Sequence, residues 1–264
     1  MTASRPYGRT RWTTSGPETG RRELPEETAV ALVHDATTTA VMMATPADLE
    51  DFAVGFSLTE RLIAAPDEIT GLEVVPAADG IELRIWLRQS AATALASRRR
   101  TLAGPTGCGL CGIDSLAEAA RPPPRVPQGF SVSPAAIHAA MAALSPAQHL
   151  GAATRAVHAA AWWTPADGIV ALREDVGRHN ALDKLVGALA RSSVRAGDGL
   201  LLLTSRVSVE MVQKAAMMNA QVLVAVSAPT ALAVRTAQAA GMTLVAVARD
   251  DAFEVFTHPQ RFAR

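Results

Sequence analysis

Hydrophobic positions along the chain follow one pattern in the first half of the sequence and another in the second. In the first half, residues 28–43 and 71–88 alternate apolar with polar side chains, which predicts two β-hairpins. Between them, DLEDFAVGFSLTERLI has apolar residues at helical spacing and follows Thr45-Pro46, a good helix start. We therefore expect a small α+β unit here.

The second half contains short, continuous apolar runs: LLLLTS, QVLVAVS and MTLVAVA. Such runs are typical of strands buried on both faces of a sheet. Predicted helices separate them, and further strands are expected near residues 155–163 and 168–173. Strands that alternate with helices predict an α/β domain with a parallel sheet and helices on its faces.

The proline-rich segment RPPPRVPQG, residues 121–129, is the best candidate for a linker, because proline blocks both helix and sheet. The predicted organisation is an N-terminal α+β domain at 25–121 and an α/β domain at 128–264. Residues 1–24 are basic and polar, without the apolar stretch of a secretory signal, and are expected to form a mobile tail.

Composition narrows the range of functions. The 25 basic residues balance the 25 acidic ones, which argues against a protein that holds nucleic acid by bulk charge. No apolar run reaches the roughly 18 residues of a membrane span, so a membrane partner is not expected. Two cysteines cannot build a disulfide framework, which favours a cytoplasmic location where thiols stay reduced.

The two cysteines, Cys108 and Cys111, lie in GCGLCG, where three glycines leave the sulfur atoms sterically open. A structural zinc site needs four ligands and the histidines show no ligand spacing, so no metal is expected. A dithiol–disulfide redox pair fits the spacing. A persulfide carrier, whose thiolate attacks a donor's sulfur, also fits. Two incidental buried cysteines remain a further interpretation.

Polar residues follow several predicted strands. REDVGRHNALDK (173–184) joins a strand to a helix, Thr204-Ser205-Arg206 and Ser227 each end a buried strand, and Arg249 ends the next. The carboxyl ends of parallel strands share one rim, where ligands bind, and strand-to-helix junctions favour anions. A simpler interpretation of residues 173–184 is a solvated helix start with ion pairs, and a simpler interpretation of Glu210 and Lys214, one turn apart on the next helix, is a surface pair of little stabilising value. Neither G-x-G-x-x-G nor a P-loop motif is present.

Taken together, these motifs resemble the formate dehydrogenase accessory sulfurtransferase family. The matching blocks are MATPADLEDFAVGFSLTE, GCGLCG, REDVGRHNALDK, LLLTSRVSVEMVQKA, SAPTALAV and THP. The resemblance implies a cytidine-deaminase-like α/β domain with a mixed sheet, beside a smaller N-terminal α+β domain. It also implies a homodimer.

The resemblance implies sulfur transfer as the activity. Cys108 matches the residue that carries the persulfide, and Cys111 is the second thiol. A cysteine desulfurase would donate the sulfur, and the molybdenum of a bis(molybdopterin guanine dinucleotide) cofactor, needed by formate dehydrogenase, would receive it. The implied cofactor-binding residues are Val247, Ala248, Arg249, Asp250, Asp251 and Ala252. Family members often read FARGGR where this chain reads VARDDA.

Two other functions stay open: a thiol–disulfide oxidoreductase, and a cofactor chaperone without sulfur chemistry. The polar blocks contain further candidates for contact with the cofactor, with the cysteine loop or with a second subunit. These are His158, Arg178, His179, Asp183, Lys184, Ser205, Arg206 and Lys214.

Overall fold

The computed structural model describes residues 2–89, 91–92, 122–192, 198–249 and 251–263. Within these ranges the chain forms three sheets, of two, four and six strands. Cys108, Cys111 and Asp250 lie outside the described residues. No helix of the described part has both the length and the apolar character needed to cross a membrane.

The N-terminal segment differs from its prediction. Instead of a tail, it forms an antiparallel hairpin of β1 (Ser4–Thr13) and β2 (Gly16–Pro25). Most of its side chains are exposed, and Arg22 ties it to the rest of the molecule by donating to the Thr154 carbonyl at 3.2 Å. A ribbon that is exposed on both faces buries no apolar face, so it leaves no alternating hydrophobic pattern in the sequence.

The four-stranded sheet confirms both predicted hairpins and the helix between them. Its strand order is β4-β3-β6-β5, and the two hairpins meet through a parallel β3–β6 pair. Leu32, Leu83 and Ile85 on one face are buried against Phe52 of the helix α1. The bounds are β3 (Thr28–His34), β4 (Thr37–Ala44), α1 (Leu49–Thr59), β5 (Ile69–Ala77) and β6 (Gly80–Leu87), with a 3-10 turn at Pro66–Glu68.

The six-stranded sheet has the order β12-β11-β10-β9-β7-β8. The strands β9, β10 and β11 are parallel, as predicted, while β7 runs antiparallel to both of its neighbours and β12 antiparallel to β11. The sheet is therefore mixed, and the α/β fold class is confirmed. The bounds are β7 (His158–Thr164), β8 (Gly168–Asp175), β9 (Leu200–Leu203), β10 (Val222–Ala225), β11 (Thr243–Ala246) and β12 (Glu254–Val255).

Helices cover both faces of this sheet, which explains the continuous apolar runs. Leu201 and Leu203 pack toward α4, α5 and α6, whereas Leu200 and Leu202 pack toward α2 on the other face. Each leucine of β9 is thus buried. The helices are α2 (Pro134–Ala147), α3 (His149–Thr154), α4 (Arg178–Arg191), α5 (Val209–Met217) and α6 (Ala231–Ala240), and a 3-10 turn covers Pro259–Arg261.

The two larger sheets are joined by the helices α1 and α4, which cross at two glycines. A Cβ atom on Gly55 would lie 1.7 Å from the Asp183 carbonyl oxygen, and one on Gly187 would lie 1.8 Å from that of Asp51. Only glycine allows this approach. Described residues 122–131 contain no helix or strand, but Val126 is buried and its N–H donates to the Ala240 carbonyl. The predicted linker is therefore packed against α6 rather than free.

Candidate functional site

Strand ends of the six-stranded sheet gather along one edge, which we call the rim. His158 at the start of β7 pairs with Asp175 at the end of β8, and the Thr204 N–H after β9 donates to the Ala159 carbonyl. Since β9, β10 and β11 are parallel, their carboxyl ends reach the same edge. The prediction that polar strand ends share one edge is confirmed. The rim consists of His158, residues 176–179, 204–208, 227–230 and 247–249, and Asp251 and Ala252.

Backbone hydrogen bonds hold the loops of the rim together. The Thr230 N–H donates to the Val207 carbonyl at 2.9 Å, and the Val247 N–H donates to the Ser227 carbonyl at 3.4 Å. The Thr230 hydroxyl also caps α6 by accepting from the Ala233 N–H at 3.2 Å. The loops after three neighbouring strands therefore form one connected surface.

The segment implied to bind the cofactor lies at the end of β11. Two described residues of this segment are bonded to each other, since the Arg249 N–H donates to the Ala252 carbonyl at 2.8 Å. The Arg249 guanidinium is exposed and donates to the carbonyls of Val226 and Ala248. Val247 has a φ of 52°, a left-handed conformation that a β-branched residue rarely adopts. Such strained positions concentrate at ligand sites.

A second group of residues, at the rim or directly next to it, surrounds the starts of α4 and α5. We call Arg178, His179, Ser208 and Glu210 the α4–α5 cluster. Each contributes a buried polar atom that has no hydrogen-bond partner among the described residues: Arg178 Nε, His179 Nε2, Ser208 Oγ and Glu210 Oε2. Buried polar atoms in native proteins are nearly always paired. The cluster therefore has unused hydrogen-bonding capacity.

Both histidines of the rim are uncharged at neutral pH. The pKa of His179 is lowered to about 4, chiefly by burial and then by the nearby Arg178 and Lys214, against the influence of Glu210 and Glu60. Burial also lowers the pKa of His158, and Arg178 adds to this while Asp175 opposes it. The positive charge of this edge therefore comes from its arginines.

Lys184 belongs to a buried ion pair instead of the rim. Its Nζ lies 2.6 Å from Asp175 Oδ2 and 2.8 Å from the Thr45 carbonyl, and neither charged side chain is exposed. Asn180 completes the arrangement by donating to Asp175 and to the Met43 carbonyl. Because Met43 and Thr45 belong to the first half of the chain, these bonds fasten α4 to the end of β4 and to the residue that follows it.

Lys214 forms the second buried connection, and the predicted surface pair with Glu210 is wrong. Its Nζ lies 3.0 Å from both Asp183 carboxylate oxygens, 2.6 Å from Glu60 Oε1 and 2.9 Å from Thr59 Oγ1. Burial alone would lower the pKa of Lys214, but Asp183 and Glu60 raise it above its ordinary value. The lysine is therefore charged and ties α5 to α1 and α4.

The structure thus divides the candidates that the sequence singled out. His158, Arg178, His179, Ser205 and Arg206 lie at the rim, while Asp183, Lys184 and Lys214 lie in the contact between the two larger sheets. Sequence reasoning missed the importance of Ser208 and Glu210. The sequence was misleading here, because Lys214 lies one helical turn after Glu210 and suggested an ordinary surface pair. In the structure Lys214 binds other carboxylates, and Glu210 Oε2 has no partner among the described residues.

Comparison with known proteins agrees with this architecture. The model of the FdhD/NarQ family matches residues 25–263. A crystal structure from Desulfotalea psychrophila, named as a formate dehydrogenase accessory protein, has the same fold, with a TM-score of 0.75 at 22% identity over 99% of this chain and 100% of that one.

Relatives of much higher identity have been named. A protein of Agrobacterium fabrum named "Sulfur carrier protein FdhD" is 52% identical over 246 residues, which cover 93% of this chain and 91% of the relative. A protein of Brucella abortus with the same name is 51% identical over 245 residues, 92% of this chain and 91% of the relative. The chain therefore belongs to the FdhD/NarQ family.

Proposed function

We propose that this protein is a sulfur carrier. It accepts persulfide sulfur from a cysteine desulfurase on Cys108 and transfers it to the molybdenum of a bis(molybdopterin guanine dinucleotide) cofactor destined for a formate dehydrogenase. The observation that carries the proposal is the pair of sulfur carrier proteins that are about half identical to this chain over nine-tenths of its length. The rim supports it, because a dinucleotide needs an edge rich in hydrogen-bond donors.

The first step exchanges one sulfur–sulfur bond for another. The thiolate of Cys108 attacks the terminal sulfur of the donor's persulfide, and a new S–S bond forms on Cys108. The donor's S–S bond breaks and its cysteine leaves as a thiolate. The terminal sulfur keeps its proton, so atoms and charge balance.

The second step delivers the sulfur atom. The S–S bond on Cys108 breaks, Cys108 leaves as a thiolate, and the reduced metal centre of the acceptor supplies two electrons that convert the transferred sulfur to hydrosulfide, which keeps the proton of the persulfide. Cys108 then returns to its starting state. The acceptor acts as a substrate in this step.

The arginines of the rim suit the phosphates of such an acceptor. Arg206 follows β9 and Arg249 follows β11, and both side chains are exposed. These two parallel strands lie on either side of β10. Guanidinium groups bind phosphate oxygens through charge-assisted, often paired hydrogen bonds. The acidic Asp251 lies beside Arg249, so we expect the phosphates to contact the arginine side of this segment.

Mass spectrometry of the loaded chain tests the proposal. Incubation with a cysteine desulfurase and cysteine should add about 32 Da, one sulfur atom, to the full chain. The Cys108→Ala variant should gain none, whereas Cys111→Ala, the matched removal of a neighbouring thiol, should still gain it. Equal loading of Cys108→Ala contradicts the proposal.

The double variant Cys108→Ala/Cys111→Ala separates sulfur transfer from simple escort of the cofactor. We expect it to leave formate dehydrogenase inactive, because neither thiol can carry sulfur. Full activation by the double variant would instead show a chaperone without sulfur chemistry.

A further inference from the structure

The hairpin β1–β2 leaves the body of the molecule next to the rim. Its second strand continues into β3, whose first residue, Thr28, pairs with Ala44 at the end of β4. Thr45 follows, and its hydroxyl accepts from the N–H of Val176, which belongs to the rim. The start of β3, and with it the base of the hairpin, therefore lies close to the rim.

A second contact ties the hairpin to the same edge. Arg22 on β2 donates to the Thr154 carbonyl at the end of α3, and His158 of the rim follows shortly after this helix. Each strand of the hairpin has ten residues, which span about 30 Å at roughly 3.3 Å per residue. The hairpin is thus a long arm fastened at its base, and a protein that covers the rim lies within its reach.

The arginines of the arm differ in whether the chain engages them. Arg5, near the base, pairs with Glu26 at 2.6 Å. Arg9 and Arg11, nearer the turn, are exposed and have neither an ion pair nor a hydrogen bond among the described residues. Alternate residues of a strand point to the same face, so Tyr7 shares the face of these two arginines. This face presents two unpaired positive charges to a partner.

Large aromatic side chains on the same strand are also uncovered. Tyr7 is 55% exposed, and Trp12, on the opposite face beside the turn, is 78% exposed. Tryptophan, tyrosine and arginine are the residue types that contribute most binding energy at protein–protein interfaces. We call Tyr7, Arg9, Arg11 and Trp12 the arm surface. Its composition is that of a protein contact, and a partner that touches both faces encloses the end of the ribbon.

Charge indicates the character of the partner. Residues 1–25 contain five arginines and two glutamates, a net charge of +3, while the rest of the chain carries a net charge of −3. Exposed guanidinium groups bind carboxylates or phosphates. A nucleic acid or an anionic membrane is an extended polyanion that would also face the negative remainder of the chain. An acidic patch on a protein can contact the arm alone, because charges beyond about 8 Å are largely screened.

We infer that the arm surface docks an acidic patch of the dehydrogenase that receives the sulfur. The inference rests on the proposed function, since the arm stands beside the edge where the acceptor is expected. Arg9 and Arg11 attract the enzyme toward the rim, and Tyr7 and Trp12 pack against it. Exposed charges at an interface act mainly on the rate of association, whereas buried aromatic contacts act on the rate of dissociation.

Biolayer interferometry of the full chain with formate dehydrogenase whose molybdenum cofactor lacks sulfide tests the inference. Arg9→Glu/Arg11→Glu should lower the association rate constant roughly ten-fold at low salt and flatten its salt dependence. Trp12→Ala should raise the Kd roughly thirty-fold, the effect of one dominant interface residue. Arg125→Glu/Arg235→Glu changes the net charge equally at exposed positions away from the arm and is the matched control. Its rate and Kd should stay close to those of the unmodified chain.

The variants should keep the unmodified unfolding midpoint, because every substituted side chain is exposed. Equal binding by the arm variants and the control overturns the inference, and so does an unmodified chain that does not bind the enzyme. Sedimentation that shows a halved mass for Trp12→Ala also overturns it, because the arm would then hold a second copy of the chain. Binding of RNA or phosphatidylserine vesicles that Arg9→Glu/Arg11→Glu abolishes, with binding of the enzyme unchanged, does so too.

Sulfur loading by a cysteine desulfurase separates this inference from the proposed function. The arm variants should gain the sulfur atom as the unmodified chain does, because the arm acts on the acceptor. An unmodified chain that gains no sulfur contradicts the proposed function, whereas normal loading with unaltered docking of the arm variants contradicts only the inference.

Discussion

Two groups of charged residues on the helix α4 have opposite surroundings. Arg178 and His179 in its first turn present buried nitrogen atoms without partners at the rim. One turn later, Asp183 and Lys184 are buried and their charged atoms are fully engaged by Lys214 and Asp175. Both groups come from the same charged block of sequence. The protein itself supplies the hydrogen-bond partners of Asp183 and Lys184, so these two residues are structural. It supplies none for the unpartnered nitrogen atoms of Arg178 and His179 among the described residues, so these atoms are available to a ligand.

The chain's only two lysines show the structural outcome most clearly. Lys184 connects α4 to the segment after β4, and Lys214 connects α5 to α1. Each crosses between the first and second halves of the chain. The contact between the two larger sheets is therefore fixed by buried charges, while the rim beside it has donors and acceptors available for a ligand.

The largest expected effect comes from breaking a buried pair. Lys184→Met should lower the free energy of unfolding by roughly 3–5 kcal/mol, because the Asp175 carboxylate would be left buried without its cation. Urea denaturation followed by circular dichroism measures the loss. The control is Arg84→Met, which removes an exposed ion pair with Glu82 and should cost less than about 1 kcal/mol. Equal losses in the two variants would remove the distinction between buried and exposed charge.

The next effect concerns the crossing of α1 and α4. Gly187→Ala should destabilise the protein by about 3 kcal/mol, because the new methyl group overlaps the Asp51 backbone and forces the helices apart. Gly8→Ala on the exposed hairpin, where a Cβ meets no atom within 4 Å, is the control. An unfolding midpoint for Gly187→Ala equal to that of Gly8→Ala would show that the helices do not approach so closely in solution.

Much of the fold could be predicted because its strands have distinct hydrophobic patterns. The leucines of β9 form a continuous run, since alternate residues face helices on opposite sides of the sheet. The hairpin β1–β2 could not be predicted in this way, because both of its faces are exposed and no apolar positions alternate along it. It is held by backbone pairing, which a hydrophobic pattern does not report.

The rim was predictable in its location but not in its detail. Polar residues after buried strands indicated the shared edge correctly. The separate roles of Arg178 and Lys184 depend on which side chains meet across the fold. The partners of α4 and β8 in the first half of the chain are more than a hundred residues away in sequence, and they include Thr45, Asp51 and Thr59. Contacts of that kind have no local signature.

The smallest expected effect is a pH dependence that belongs to the rim. His179 takes up a proton near pH 6.5 when unfolded but only near pH 4 when folded, so the unfolded chain binds more protons between these values. Its contribution is present above pH 6.5 and is lost as the pH falls. We expect about 2 kcal/mol less stability at pH 5 than at pH 7 from this residue alone.

Denaturation of His179→Gln at the two pH values isolates this contribution from those of the other titrating groups. The variant should lose less stability on acidification than the unmodified protein does. An unchanged difference between pH 7 and pH 5 would mean that the His179 imidazole titrates normally and is not buried at the rim.

The most direct test of the whole account follows a single sulfur atom. The chain is loaded on Cys108 with radiolabelled sulfur, freed of the desulfurase and mixed with formate dehydrogenase whose molybdenum cofactor lacks sulfide. The account predicts that the label moves to the cofactor, that Cys108 returns to the free thiol, and that activity rises in proportion. Activation of the dehydrogenase while the label stays on the chain would contradict it.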